Sequence, residues 1–246
     1  NPNYPAEYFD GTLDQIRVYD VALTSTDVAN LYNSETTSTT NTLAFPTGKT
    51  AIATYTLDGN GVDVSGNYSG SEGDNIAYAY DGTDTNIEYR FGRFGQAAVF
   101  NGSSSYIDLG ASLLGSRSAF SVSAWVNFDN LNTLNYIFYN SESGTGTNLG
   151  FFDYGWNGNI YFQPDASTSA NRGYVSNSGI YTTNEWVHIV MVFDGSATGN
   201  SNRLKAYIQA QPITLTYEGT IPSSSGTSTA NSWICLLYTS PSPRDP

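Results

Sequence analysis

From residue 51 onward, the chain consists of short runs in which apolar and polar residues alternate, and clusters of Gly, Asn, Ser and Asp separate these runs. Alternation with a period of two is typical of β-strands that have one buried face. In AFSVSAWVNF, the apolar side chains from Phe120 to Phe128 fall on one face. The run WVHIVMVFDG is apolar on both faces, as expected of a central strand. The pattern therefore predicts an all-β sandwich.

One short helix is predicted near the N-terminus, over residues 25–33. Thr24 has the side chain of an N-cap residue, and Asp27 follows it at the spacing of a capping box. The apolar stripe of this helix consists of Val28, Leu31 and Tyr32. Residues 36–50 are rich in Thr, Ser and Asn, and we interpret them as a linker.

The C-terminal region departs from the strand pattern. Residues 223–232 are rich in Ser, Thr and Gly, and the final ICLLYTSPSPRDP is a short apolar run followed by Pro and Ser. This ending resembles a translated sequencing adapter. We therefore interpret 223–246 as a disordered tail, and we leave residues from about 233 onward, including Cys235, out of the predicted fold.

Composition limits the classes of partner. The formal net charge is −13, with 9 Lys and Arg against 22 Asp and Glu. The sequence holds no cluster of basic residues, which nucleic acids and anionic membrane surfaces require, so we expect neither as a partner. No apolar run approaches the ~18 residues of a membrane-spanning helix. The single cysteine excludes an intrachain disulfide and gives no information on the compartment.

Four blocks resemble the laminin-G-like jelly-roll family of the concanavalin A-like lectin/glucanase superfamily. They are ATYTLDGNGVDVSGN, GRFGQAAVFNGSSSYIDLG, FSVSAWVNF and NEWVHIVMVFDG, in this order between residues 51 and 218. The resemblance implies a two-sheet antiparallel jelly-roll sandwich. It also implies an extracellular location, at a cell surface, in a secreted protein or on a virion.

The closing block of that family resembles FDGTLDQIRVYDVALTSTDVANLY, which stands here at the front of the chain, at Phe9–Tyr32. The order implies a slice through a tandem array of neighbouring modules. Residues 1–35 would be the end of one module, and 51–222 would be a module that lacks its own closing strand. Because an open sandwich exposes unpaired backbone groups, we expect residues 13–19 to complete the sheets of the module that follows.

A structural calcium ion is the first candidate for site chemistry. LDGNGVDVSGN concentrates oxygen atoms in a glycine-containing loop, including the side chains of Asp58, Asn60 and Asp63. The resemblance places a Ca²⁺ ion on Asp58, with Asp14 of the closing strand and Asn101–Gly102 as neighbours. An ordinary polar turn is the alternative interpretation.

An aromatic stretch is the second candidate. Asn157-Gly158 separates NLGFFDYGW from NIYFQ and predicts a type I′ hairpin turn. Trp156 should therefore stand near a loop tip together with Tyr154 and Asp153, where an aromatic ring beside polar groups suits a sugar. Four further aromatic residues are assigned to the core instead: Phe151, Phe152, Tyr161 and Phe162.

Catalysis is not expected. Glucanases of the resembled architecture carry paired carboxylates, commonly as E-x-D-x-x-E, and this spacing does not occur in the sequence. The only histidine, His188, lies in the middle of a predicted strand and is interpreted as a packed residue. The sequence therefore favours a non-catalytic, lectin-like module that binds a glycan or a surface protein. Two alternatives stay open, a structural or host-attachment module of a phage tail or virion and an accessory domain of a glycoside hydrolase.

Overall fold

A computed structural model describes residues 8–37, 49–65, 80–131, 134–141, 148–154, 158–164, 170–176, 178–227 and 230–235. These residues form two antiparallel β-sheets of eight strands each, stacked as a sandwich. This arrangement confirms the predicted fold class. No helix in the described ranges is both long enough and apolar enough to cross a bilayer.

The first sheet contains β1 (Asp10–Tyr19), β2 (Ala53–Tyr55), β4 (Glu88–Phe91), β5 (Gln96–Asn101), β7 (Ala119–Phe128), β12 (Trp186–Asp194), β13 (Leu204–Ile208) and β14 (Gln211–Ile213). The second sheet contains β3 (Thr83–Thr85), β6 (Tyr106–Asp108), β8 (Leu134–Ser141), β9 (Asn148–Tyr154), β10 (Asn159–Gln163), β11 (Arg172–Ser176), β15 (Thr216–Glu218) and β16 (Ser232–Ile234). Two helices accompany them in the described part of the chain, α1 (Ser25–Thr36) and α2 (Asn200–Arg203).

Strand β1 occupies the interior of the first sheet, whose order is β14-β13-β12-β7-β1-β5-β4, with β2 also paired to β1. Leu13 of β1 is opposite Val126 of β7 on one side and Ala98 of β5 on the other. The N-terminal strand thus joins two parts of the sheet that have no other connection in the strand order. Residues 13–19 therefore lie inside the sandwich built by the rest of the chain.

Strand β16 has the corresponding role in the second sheet, where it lies between β8 and β6. Trp233 is opposite Tyr139 on one side and Asp108 on the other, and Cys235 is buried. Residues 230–235 therefore belong to the fold, in contrast to the expectation of a disordered tail from 223. A three-residue strand is too short to produce a readable alternation, which explains the difference. Residues 236–246 lie outside the described residues.

The two sheets enclose one large apolar core. The inward residues of β7 are those predicted from its alternation, and Val187, Ile189, Met191 and Phe193 of β12 join them. The first and last segments of the described residues also meet in this core, because the Phe9 backbone N–H donates to Cys235 Sγ at 2.9 Å.

Helix α1 covers the outer face of the first sheet. Thr24 and Asp27 form the predicted capping box, with the Asp27 N–H donating to Thr24 Oγ1 at 3.1 Å and the Thr24 N–H donating to Asp27 Oδ2 at 2.9 Å. Val28 and Leu31 pack against Val190 and Val192 of β12 in a second apolar cluster. The helix extends three residues beyond the predicted end, and this extension brings Glu35 over the sheet.

Candidate functional site

The outer face of the second sheet carries a band of aromatic side chains that is separate from the core. We call this band the aromatic face, and it consists of Tyr136, Tyr139, Tyr161, Tyr174 and Trp233. It follows from the alternation of the strands, because Ile160 and Phe162 on either side of Tyr161 point into the core.

The strand register arranges the aromatic face in rows across the sheet. Tyr161 and Tyr174 are directly opposite each other in β10 and β11, and their ring centroids are 5.2 Å apart. In β8, the rings of Tyr136 and Tyr139 meet edge to face at 4.7 Å. Because Trp233 is opposite Tyr139, the indole continues this band toward β6.

A charged pair lies at one end of the aromatic face. The Arg172 guanidinium stands 4.1 Å above the centroid of the Tyr161 ring, which is the geometry of a cation–π contact. Arg172 Nε also donates to Glu218 Oε2 at 2.7 Å. Both charged side chains reach solvent, with exposed fractions of 20% and 40%.

The central tyrosines and the marginal aromatic residues differ in their access to solvent. Tyr136, Tyr139 and Tyr161 are buried, whereas Trp233 and Tyr174 are half-buried. The parts of the aromatic face that a ligand in solution can reach therefore lie at its two margins. One margin is formed by Trp233, and the other is formed by Tyr174 together with Arg172.

The predicted aromatic binding residues fall at the far end of β9. Tyr154 pairs with Asn159 and Asp153 pairs with Ile160, so a hairpin joins β9 and β10. This register leaves residues 155–158 between the paired positions, instead of the two residues of the predicted type I′ turn. Trp156 lies outside the described residues, and its role in binding stays a prediction together with those of Tyr154 and Asp153.

The assignment of the four remaining aromatic residues to the core is partly wrong. Phe151 and Phe162 lie in the core, but Tyr161 belongs to the aromatic face on the opposite side of the sheet. The signal in the sequence was the alternation itself, because adjacent residues of one strand cannot share a face. The argument does not extend to LNYIFYN, because a β-bulge between Tyr136 and Phe138 interrupts the alternation and puts Tyr136 and Tyr139 on the same face.

Two of the predicted calcium ligands meet at one turn. Asp14 Oδ2 accepts from the Phe94 N–H at 2.8 Å, and Asp58 Oδ1 accepts from the Gln96 N–H at 2.6 Å. Asp14 is fully buried, and its Oδ1 has no hydrogen-bond partner among the described residues. Burial raises the pKa of Asp14 to about 8, the Phe94 N–H opposes this shift, and the charge of Asp58 adds to it.

The other predicted ligands form local hydrogen bonds. Asn101 is opposite Asp10, four positions from Asp14 along an extended strand, a separation of about 13 Å. Its Oδ1 accepts from the N–H groups of the serines that follow it, while the Gly102 N–H donates to Phe9 O. Asn60 Oδ1 accepts from the Val62 N–H in its own turn. Asn101 and Gly102 therefore lie apart from Asp14, whereas Asn60 remains in the loop of Asp58.

Asp63 also has a local role, because its Oδ1 accepts from the backbone N–H groups of Thr54 and Ser65. Within the described ranges, no three Asp, Glu, His or Cys side chains come together as a metal-binding group.

A cluster of polar side chains is sealed between helix α1 and the first sheet. Glu35 of the helix forms a buried ion pair with Arg17 of β1, with 3.0 Å between Oε1 and Nε. The Trp125 indole N–H donates to Glu35 Oε2 at 2.8 Å. His188 Nε2 lies 2.8 Å from Ser123 Oγ and 3.6 Å from the same Glu35 oxygen. This cluster escaped the sequence analysis, because its members are far apart in the chain.

Burial controls ionisation in this cluster. It raises the pKa of Glu35 to about 6, an effect that the neighbouring Arg17 charge opposes. It lowers the pKa of His188 to about 3, and Arg17 adds to that shift. His188 is therefore neutral near pH 7, and neither side chain is exposed to a substrate. The cluster positions the helix on the sheet.

Comparisons with known proteins identify the class. The two stacked antiparallel sheets, with the closing strand inside one of them, are those of a jelly-roll sandwich. A laminin G-like family model described as the concanavalin A-like lectin/glucanases superfamily matches residues 101–235, more than half of the chain. The chain belongs to this superfamily. A search of curated proteins found no match.

Two solved structures are similar to the chain. One is domain 4 of AbnA, a GH43 extracellular arabinanase from Geobacillus stearothermophilus, in complex with arabinotriose. It is 22% identical with a TM-score of 0.47, and the match covers 78% of this chain and 85% of that chain. The other is a mutant of HCR/D, 15% identical with a TM-score of 0.33, where the match covers 71% of this chain and 43% of that one.

Proposed function

We propose that this protein is a non-catalytic, lectin-like module that binds glycans through its aromatic face. The observation that carries the proposal is the band of aromatic side chains on the outer face of the second sheet, whose margins at Trp233 and Tyr174 are accessible to solvent. Sugar rings present apolar C–H patches beside hydroxyl groups, and aromatic rings with a few polar neighbours suit them. Membership in a superfamily that includes lectins supports this proposal.

The absence of catalysis is part of the same proposal. The side chains of Glu35 and His188, which lie close together, are enclosed beneath helix α1 and do not reach a substrate. A glycosidase needs two carboxyl groups on either side of the bond that it cleaves. On the aromatic face, the described carboxylates are Asp108 and Glu218, which lie in the sheet on either side of β8–β11.

A glycan array tests the proposal. The wild-type protein should bind at least one oligosaccharide, and Trp233→Ala should weaken this binding at least about tenfold, because stacking on the accessible part of the indole ring is lost. Trp186→Ala is the matched control, since Trp186 is also half-buried but belongs to the first sheet. A protein that binds no glycan on the array, or binding that survives Trp233→Ala unchanged, would contradict the proposal.

We also propose that Ca²⁺ binds between Asp14 and Asp58. The support is the buried Asp14 Oδ1 without a hydrogen-bond partner in the described part of the chain, close to the exposed carboxylate of Asp58. Carboxylate oxygens are the ligands that Ca²⁺ prefers. When bound, the ion would neutralise the two carboxylates and stabilise the turn at 92–96.

Thermal unfolding tests the calcium proposal. Millimolar Ca²⁺ should raise the melting temperature by several degrees relative to EDTA, since a ligand at ~100 Kd adds about 2.7 kcal/mol to the free energy of unfolding. Asp14→Asn should abolish this rise. Asp20→Asn, at an exposed position just after the same strand, should retain it. Equal melting temperatures of the wild type with Ca²⁺ and with EDTA would refute the proposal.

A further inference from the structure

The second sheet is almost devoid of positive charge. Its eight strands contain one Lys or Arg, which is Arg172. The sequence holds no Lys or Arg at all between Arg117 and Arg172, a span that includes all of β8, β9 and β10. These three central strands therefore contain no cationic side chain that could bind the carboxylate of an acidic sugar.

Arg172 is already engaged by two partners within the fold. Its Nε donates to Glu218 at 2.7 Å, and its guanidinium group lies 4.1 Å above the centroid of the Tyr161 ring. A sugar carboxylate that approached Arg172 would meet the Glu218 carboxylate at the same place. Like charges at a binding surface disfavour the wrong partner, so Glu218 would oppose this approach.

The opposite margin of the aromatic face also carries negative charge. Asp108 is directly opposite Trp233, and its Oδ1 accepts from Asn231 Nδ2 at 2.8 Å and from the Gly110 N–H at 2.9 Å. Each solvent-accessible margin thus combines an aromatic ring with a carboxylate: Trp233 with Asp108, and Tyr174 with Glu218. Carboxylates accept hydrogen bonds from sugar hydroxyls and repel sugar acids.

We propose that the aromatic face selects neutral glycans and rejects glycans that carry uronic or other sugar acids. This inference rests on the proposed glycan-binding function and adds the chemical class of the ligand. Glu218 determines the selection at the Arg172 margin, because it neutralises the one cation of the sheet. The chain as a whole, with a net charge of −13, reinforces the repulsion at low ionic strength.

The experiment uses an array of neutral hexose and pentose trisaccharides in which each hexose trisaccharide also appears as its uronic acid counterpart. The full chain should bind a neutral trisaccharide at least about tenfold more tightly than the acidic counterpart at low salt, and added salt should narrow the difference. Glu218→Gln should strengthen binding of the acidic counterpart severalfold, because Arg172 loses its competing carboxylate.

Glu88→Gln is the matched control. It removes the same charge from an exposed pair with Arg90 on β4 of the first sheet, where the distance between Arg90 and Glu88 is also 2.7 Å. It should leave the ratio of neutral to acidic binding unchanged. The measured quantity is the ratio of the two dissociation constants for each variant.

Equal or tighter binding of the acidic counterpart by the wild type would overturn the inference and leave glycan binding itself intact. A preference for neutral glycans that Glu218→Gln and Glu88→Gln reduce equally would also overturn it, because overall charge would then explain the effect. Binding of neither member of any pair would remove the proposed function together with the inference.

Discussion

At the scale of single residues, the buried ion pair between Arg17 and Glu35 is the feature with the largest expected effect on stability. Both side chains are fully buried, and Glu35 also accepts from the Trp125 indole. A charge that is buried without its partner destabilises a protein far more than an exposed pair stabilises it.

Glu35→Gln should therefore lower the free energy of unfolding by about 3 kcal/mol at pH 7, because Arg17 stays charged and buried. Urea denaturation measures this loss. Glu88→Gln breaks the exposed pair with Arg90 and should cost less than about 1 kcal/mol. A loss of similar size in the two variants would contradict the role assigned to the buried pair.

The pKa of His188 predicts a pH dependence of stability. The folded-state pKa of about 3 lies below the ordinary value of 6.5, because burial disfavours the charged ring. Neutral His188 therefore contributes stability that is present above pH 6.5 and is lost as the pH falls toward the folded-state value. Glu35 acts in the opposite sense: its folded-state pKa of about 6 exceeds 4.5, so the pH-dependent part of its contribution to stability is present below pH 4.5 and is lost as the pH rises through 6.

The contribution of His188 is obtained by measuring the free energy of unfolding of the wild type and of His188→Gln at several pH values and taking the difference at each pH. The difference in the free energy of unfolding should fall by about 1 kcal/mol per pH unit between pH 6 and pH 4. A difference that stays constant over this range would show that His188 is not held neutral by burial.

At the scale of elements, helix α1 depends on its N-terminal cap. Thr24→Ala should cost about 1 kcal/mol of stability, because the Asp27 N–H loses its acceptor. Thr26→Ala makes the same chemical change at an exposed position within the helix and should be neutral or slightly stabilising. Thermal or urea unfolding distinguishes the two, and equal effects would argue against the cap.

The elements differ in how far the sequence predicts them. The alternation of AFSVSAWVNF predicts both the strand β7 and its inward face, and the Thr24–Asp27 spacing predicts where α1 begins. Strand β16 could not be predicted from its own three residues, because it is defined by pairing with β8 and β6.

The candidate site was less predictable than the fold. Glu35 at the end of an amphipathic helix has the appearance of a solvent-exposed residue, and only the tertiary structure brings it to Trp125, 90 positions away. The aromatic face likewise depends on strand order, since Trp233 reaches Tyr139 only through the register of β16 with β8.

At the scale of the whole molecule, the two ends of the described chain complete the two sheets. Strand β1 joins β7 to β5 in one sheet and β16 joins β8 to β6 in the other, while Phe9 and Cys235 meet between them. Strand β1, which carries Arg17 of the buried ion pair, and strand β16, which carries Trp233, are thus both needed for a closed sandwich. One outer face is covered by helix α1, and the other presents the aromatic face.

The most direct test of the account follows the indole N–H signals of the protein by NMR while a glycan identified on the array is added. Trp233 should shift in proportion to binding, whereas Trp125, which is buried beneath helix α1, and Trp186, on the first sheet, should not move. If Trp233 stays unchanged while Trp156 or Trp186 shifts, the glycan binds elsewhere and the assignment of function to the aromatic face is wrong.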